Sequence, residues 1–417
     1  MPTKSRSTDC PVNDVAFSGR EQGHVPVYAQ INDHAMFLTG VSASRFYRDP
    51  IAFTEIELLV AEYYGFDLPL LMWDVYNIEA EAIGQKLKFH RHNMPDIDQT
   101  RPLVRREADL DRVRLDRPGA TGRLPQFLAS MVLYQRYCGM EPTPILCAPF
   151  SLACGIRSYL GLISDIKLRP AFAHELLCRI CDDVLVPWYR VLHQTVPGAT
   201  CIVVADAWAS PPNVSMRIFE EYVEPYVMRL EGAIAPMDLH VGTIGYWGES
   251  HLKNPAAFLE AKARISEHVP LGLMCYDPDV ERLGVKVYKD VATAHDRLLT
   301  LGIDALLLRS GTARAITQRV RQYIRDGAQG GRLALFLNNL TVDTPPSHIF
   351  LAVAAARTLG QYPIQQHLDS LVVRVPRQES FGEFVHRKQE NNSEGYTFAW
   401  LDKSRFSGKQ NAIRGSI

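Results

Sequence analysis

The sequence predicts an α/β fold, a (β/α)8 TIM barrel with an insertion between its second and third strands. Three observations carry that expectation. From about Gly23 to Tyr362, short apolar runs alternate with longer amphipathic segments, the pattern of repeated βα units around a parallel sheet. Several of the runs are apolar throughout, as strands covered on both faces are. Eight such runs can be read, the number that closes a barrel; an open doubly wound sheet is the alternative.

The runs are VPVYAQI from Val25, LPLLMWD from Leu68, TPILCAP from Thr143 and ATCIVVAD from Ala199, then APMDLHVG from Ala235, VPLGLMCY from Val269, DALLLRS from Asp304 and RLALFLN from Arg332. Helical patterns lie between them, among them IAFTEIELLVAEYYG, NPAAFLEAKARIS, DVATAHDRLLTLG and ARAITQRVRQYIRDG. Most end at glycine or shortly before proline, which supplies the stop. The stretch from His90 to Leu124 is arginine-rich and broken by Pro95, Pro102 and Pro118. It reads as an excursion, a small hairpin and helix over the barrel mouth. After the last strand, Pro345 and Pro346 open one more helix, where the missing N–H costs nothing. The domain reading is a flexible N-terminal segment over 1–22, the barrel over 23–368, and an extension over 369–417 that is either flexible or an oligomer contact, with a homodimer as the expected oligomer.

Composition removes several classes of function. The 417 residues are 47% hydrophobic, enough for a large core, and 45 Lys+Arg balance 46 Asp+Glu, which gives no electrostatic reason to expect nucleic acid or an anionic membrane as partner. No apolar run approaches the ~20 residues that span a bilayer. The first two dozen residues lack the apolar stretch of a secretory signal, so a cytoplasmic location is expected. Eight cysteines in so long a chain do not make a disulfide framework. The single C-x-x-C, Cys178 and Cys181, sits in a helical pattern and reads as two small hydrophobes.

In a (β/α)8 barrel the chemistry lies at the C-terminal ends of the strands. Collecting polar residues there gives Asn32, Asp33 and His34 after the first strand, and Asp74, Tyr76, Glu79 and Glu81 after the second. Ser151 and Arg157 follow the third, Asp206 and Trp208 the fourth, and His240 the fifth. The last three strands give Cys275 with Asp277, then Arg309, then Asn338 with Asn339. Catalytic roles are expected for His240, Asp206 and Glu79. Substrate contacts are expected from Asn32, His34, Asp74, Arg157, Trp208, Asp277, Arg309 and Asn338. Asp74 reads equally as a helix cap. Arg157 and Arg309 read either as forks for a carboxylate or phosphate or as partners of barrel carboxylates.

Several segments carry a resemblance: HVPVYAQINDHAMFLTGVSASRFYRDP, YYGFDLPLLMWDVYNIEAEAIG, CAPFSLACGIRSYLG, VVADAWASP, DLHVG and GGRLALFLNNLTVDTPPSHIFLAVAAARTLGQYP. In order and spacing the chain resembles the uroporphyrinogen decarboxylase-like superfamily, and within it the methyltransferases that pass methyl groups to or from corrinoid proteins. The resemblance implies a barrel enzyme acting on a small molecule, with a corrinoid (cobalamin) carried by a partner protein. It also implies a zinc set, H-x-C on the fifth strand and a cysteine near the eighth, where this chain reads His240-Val241-Gly242 and Asn338. Only the histidine survives, so no zinc is expected; if a metal binds, His240 and Cys275 are its ligands. The readings left open are a metal-independent decarboxylase holding a carboxylate through Arg157 or Arg309, and a non-catalytic binding subunit. Replacing His240 with Ala is expected to abolish turnover.

Overall fold

The computed structural model describes residues 23–402; the segment 1–22 and the last part of the extension, 403–417, lie outside the described residues. The protein is an α/β barrel of the (β/α)8 type. Its parallel strands are β1 (Val27–Ala29), β4 (Ile145–Cys147), β5 (Cys201–Ala205), β6 (His240–Ile244), β7 (Leu273–Tyr276), β8 (Leu299–Ile303) and β9 (Leu333–Leu337); β2 (Leu87–Lys88) and β3 (Asp96–Ile97) form a separate antiparallel hairpin. The ladders run β1-β9-β8-β7 and β4-β5-β6. First and last strands pair in parallel, Val27 opposite Leu335, as they do in a barrel and not in an open doubly wound sheet.

The expected second strand makes no ladder, yet its side chains alternate as a strand's do. Leu70 and Met72 join the interior cluster of the barrel, while Leu71 and Trp73 join the layer between sheet and helices. Single bonds hold this segment to β1. The Asp67 carboxylate accepts from the Val27 N–H at 2.6 Å, the Asp67 N–H donates to the Val27 carbonyl at 3.0 Å, and the Asn32 amide donates to the Met72 carbonyl at 2.7 Å.

Two strand expectations are corrected. DALLLRS is a helix, Ala305–Ser310, whose first turn is capped by Asp304 accepting from the Leu306 N–H at 3.0 Å. The strand is the preceding Leu299–Ile303. Gly302, which reads as a helix stop, lies inside β8, where a Cβ would stand 2.4 Å from the Tyr276 ring. The fifth barrel strand begins at His240 rather than ending there. Ala235–Met237 is a 3-10 turn that prolongs the helix Glu224–Ile234, and Asp238 turns the chain in left-handed conformation before the strand starts.

The insertion is a hairpin followed by the 3-10 helix Glu107–Arg112, as expected. It is tied to the outer helices at an irregularity. Pro187 lacks the N–H that would bond the Asp183 carbonyl, the helix widens to π geometry over Ile180–Leu185, and the freed carbonyl accepts instead from the Leu115 N–H at 2.9 Å. Cys181 is buried within this turn as an ordinary small apolar side chain.

The described part of the extension, 369–402, is packed on its own barrel. The helix Phe381–Glu390 starts with a capping box, the Ser380 hydroxyl and the Glu383 carboxylate each serving the other residue's N–H. Phe381 and Phe384 place their rings 5.2 and 5.4 Å from Tyr63 on the helix Pro50–Tyr64. Beyond it the chain closes over Glu55, which is fully buried and accepts from the N–H groups of Thr397 (2.6 Å) and Phe398 (2.9 Å) and from the Trp400 indole (3.0 Å). Among the described residues no helix is long and apolar enough to cross a membrane.

Candidate active site at the barrel mouth

A cavity of about 380 Å³ opens at the C-terminal ends of the strands, inside the common range of small-ligand pockets. Its apolar walls come from inward-facing strand residues, Met274 and Tyr276 of β7 and Phe336 of β9, with Met72 from the segment that replaces the second strand. Met94, in the loop of the inserted hairpin, closes one side, so the insertion does sit over the mouth. Trp247, 45% exposed, stands at the opening after β6.

The polar lining is sparse. Gln30, Asn338 and Asn339 present amide side chains with no hydrogen-bond partner among the described residues, and Asn339 is held in left-handed conformation at the strand's exit. Asp33 is fixed by the Met94 N–H at 2.9 Å and the Asn93 amide at 3.3 Å, and burial pushes its carboxyl above the ordinary range. Asp277 also reaches the wall, but its oxygens are taken by the Arg319 guanidinium and the Tyr323 hydroxyl. The Tyr76 phenol faces the cavity, its pKa raised by burial. Among the described residues no Lys, Arg, His or Cys lines the cavity.

The site residues expected from sequence divide into three groups. Asp277 and Asn338 line the cavity, as do Asp33, Tyr76 and Asn339 from the same strand-end selection.

A second group stands around the cavity wall without facing it. Asp206 is fully buried between Ala205 and Ala207, which do line the cavity. It accepts from the Ser151 hydroxyl at 2.6 Å and from Tyr246 at 3.3 Å, and burial lifts its pKa to about 7. Glu79 is buried against the Cys147 N–H at 3.2 Å with its second oxygen unpartnered, and burial lifts it to about 8. Asp74 binds Arg123 at 2.5 Å rather than capping a helix, and burial outweighs that partner, leaving it at about 6. Asn32 braces the Met72 carbonyl. His34 donates from Nδ1 to the Thr341 carbonyl at 3.3 Å, so its Nε2 accepts from Tyr64 at 2.7 Å; burial lowers it to about 4, and the ring is neutral near pH 7.

The third group lies elsewhere. Arg157 grips Asp165 at 2.6 Å and the carbonyls of Val104 and Arg105, tying the insertion to its helix. Arg309 sits on the surface helix Ala305–Ser310, paired with Asp343 at 2.5 Å. Both arginines therefore follow the ion-pair reading. Trp208 is stacked on Tyr159 beside the mouth, with centroids 5.4 Å apart. Cys275 points out of the barrel into the helix layer, where burial raises its thiol to about 12. His240 is the first residue of β6, at the N-terminal end of the barrel, and contacts Glu231 and His268. Its expected catalytic place at the mouth is corrected: the mouth end of β6 leads into Gly245-Tyr246-Trp247. A zinc set at the mouth does not fit this chain, because Gly245, Trp247 and Asn338 offer neither imidazole nor thiolate there. Sequence reading missed Gln30, Met94 and Trp247; the signal for Trp247 was its place just beyond the true end of β6.

A parallel α/β barrel with a ligand-sized cavity at its C-terminal mouth defines a (β/α)8 protein built around a small-molecule site. The chain matches the family model of uroporphyrinogen decarboxylase (URO-D) over residues 15–359, and it belongs to that family. Among solved structures it is similar to a methyltransferase from Methanosarcina mazei, at 15% sequence identity and a TM-score of 0.63, with 83% of this chain and 98% of that chain covered. That likeness is one of fold. No curated protein matches the chain.

Proposed function

We propose that this protein is a methyltransferase that moves a methyl group between a small organic substrate held in the mouth cavity and a corrinoid carried by a partner protein docked over the opening. One observation carries the reading: the cavity is lined by thioethers, aromatic rings and uncommitted amides, with no cationic side chain among the described residues. Such a lining suits a neutral or cationic methylated molecule. It does not suit a substrate anchored by carboxylates, which needs guanidinium or ammonium partners. Arg157 and Arg309, which a decarboxylase reading needs, are both committed to other carboxylates. A cavity near the low end of the small-ligand range also leaves a tetrapyrrole outside, facing the rim at Trp247.

In this scheme the amides of Gln30, Asn338 and Asn339 orient the substrate, and Met72, Met274 and Phe336 exclude water around the methyl group. Asp33, whose carboxyl burial pushes above its ordinary range, is the acid at the cavity wall that passes a proton to a leaving alkoxide, phenolate or amine. Asp206 and Glu79 act from behind the wall, fixing Ser151 and the Cys147 backbone. A corrinoid, when bound, supplies the cobalt that accepts or donates the methyl group.

The test is anaerobic mixing of the protein with cob(I)alamin and a panel of methylated phenols, alcohols, thiols and amines. Protein-dependent appearance of the methylcobalamin spectrum is expected with at least one of them. Carbon dioxide release from a parallel panel of small carboxylic acids without corrinoid would establish the lyase instead, and tight binding with no turnover would establish a binding subunit.

A further inference from the structure

At the other end of the barrel, Glu231, His240 and His268 bring one ligand atom each to within 4.8 Å of one another. They come from three separate places: the helix Glu224–Ile234, the first residue of β6, and the turn that leads to β7. Glu231 is already oriented for the task. One oxygen accepts from the Val241 N–H at 2.6 Å, while the other lies 2.7 Å from His240 Nδ1 and 3.6 Å from His268 Nε2. The two imidazoles are stacked, 4.1 Å between centroids, and both remain about one-third exposed, at 30% and 32%. Solvent therefore reaches the donors.

We propose that these three residues form a zinc site at the N-terminal end of the barrel, distinct from the mouth cavity and separated from it by the length of β6, about 13 Å. Two imidazoles and one carboxylate form a borderline donor set, which suits zinc and other late first-row ions and discriminates against magnesium and calcium, whose ligands are oxygens. Three protein ligands leave a fourth position for water. Donors set about 2.0–2.2 Å from one ion lie closer together than these do, so binding turns the two rings out of their stack and draws His268 toward Glu231. The ion then ties the helix, the strand and the turn at the end of the barrel where substitutions act on stability rather than chemistry. The Val241 N–H, donating to the second Glu231 oxygen, supplies the orienting contact that such ligands commonly have.

The experiment uses the full chain, stripped with a chelator, reloaded with zinc chloride and passed through gel filtration. The expected result is one zinc per chain, with X-ray absorption showing two imidazole nitrogens and a carboxylate oxygen in the first shell, and a higher unfolding temperature in the loaded protein. His268→Ala and His240→Ala should each lower zinc affinity at least tenfold while their circular dichroism stays that of the wild type. Failure to retain zinc, a first shell without imidazole, or unchanged affinity in folded variants would overturn the proposal. The absorption measurement needs only the wild-type chain, so it decides the matter even if a variant misfolds.

Discussion

The Ser151 backbone N–H and hydroxyl donate to the same oxygen of Asp206, at 2.9 and 2.6 Å, and Tyr246 reaches the other oxygen at 3.3 Å. This buried carboxyl stands between two residues that line the cavity. Burial lifts it, the three donors pull it partly back, and the balance leaves it at about 7. Ser151→Ala removes the shortest of them. The expected result is an Asp206 pKa higher than in the wild type and a stability loss of about 1–3 kcal/mol, read by carboxyl NMR and urea unfolding. An unchanged titration would show that the hydroxyl does not stabilise the charged form.

Glu79 makes stability depend on pH in a definite direction. Its folded pKa of about 8 lies above the ordinary 4.5, so between those values the folded state keeps a proton that the unfolded chain has released. Stability from this group is therefore complete below about pH 4.5 and falls as pH rises toward 8, by at most about 1.4 kcal/mol per pH unit. Glu79→Gln keeps an acceptor for the Cys147 N–H and removes the titration. Urea midpoints from pH 5 to 8 should fall less steeply in the variant; parallel curves would contradict the placement of Glu79.

Removing residues 379–417 takes away the Thr397, Phe398 and Trp400 donors and leaves Glu55 with the Tyr137 hydroxyl, 3.0 Å away, as its remaining partner. Water then reaches Glu55, and the cost is the lost burial of Phe381, Phe384, Phe398 and Trp400, about 1.5–3 kcal/mol for a fully buried large apolar side chain. The truncated chain should unfold at a correspondingly lower urea concentration. Retention of wild-type stability would return the extension to the role of a loose tail.

His240→Ala should leave methyl transfer within about threefold of the wild type, because the ring lies at the end of the barrel away from the cavity. Loss of turnover in a folded variant would put His240 back in the mechanism.

How much of this was legible follows from the physics of each element. Runs buried on both faces, such as those ending in Cys147, Ala205 and Leu337, announce themselves by composition alone. The Leu299–Ile303 strand did not, because Gly302 imitates a helix stop and the apolar run continues into the helix capped by Asp304. The His240 error has a similar origin: apolar residues before a strand look like the strand, and a slip of five residues moves a side chain from one end of the barrel to the other. Long-range contacts were invisible. Nothing local links Glu55 to Trp400, or Asp277 to Arg319 and Tyr323. Choosing polar residues at strand ends found Asp33, Tyr76, Asp277, Asn338 and Asn339, but it passed over Met94 and Trp247, whose contribution is shape and the exclusion of water.

The central claim is that a small molecule reacts in the mouth cavity beside Asp33 and Asn338. The most direct test is kcat/KM for methyl transfer to cob(I)alamin in Asp33→Asn and Asn338→Ala, measured beside His240→Ala. The expected result is a loss of at least tenfold in each of the first two, with His240→Ala close to the wild type. Full activity in both cavity variants would contradict the account.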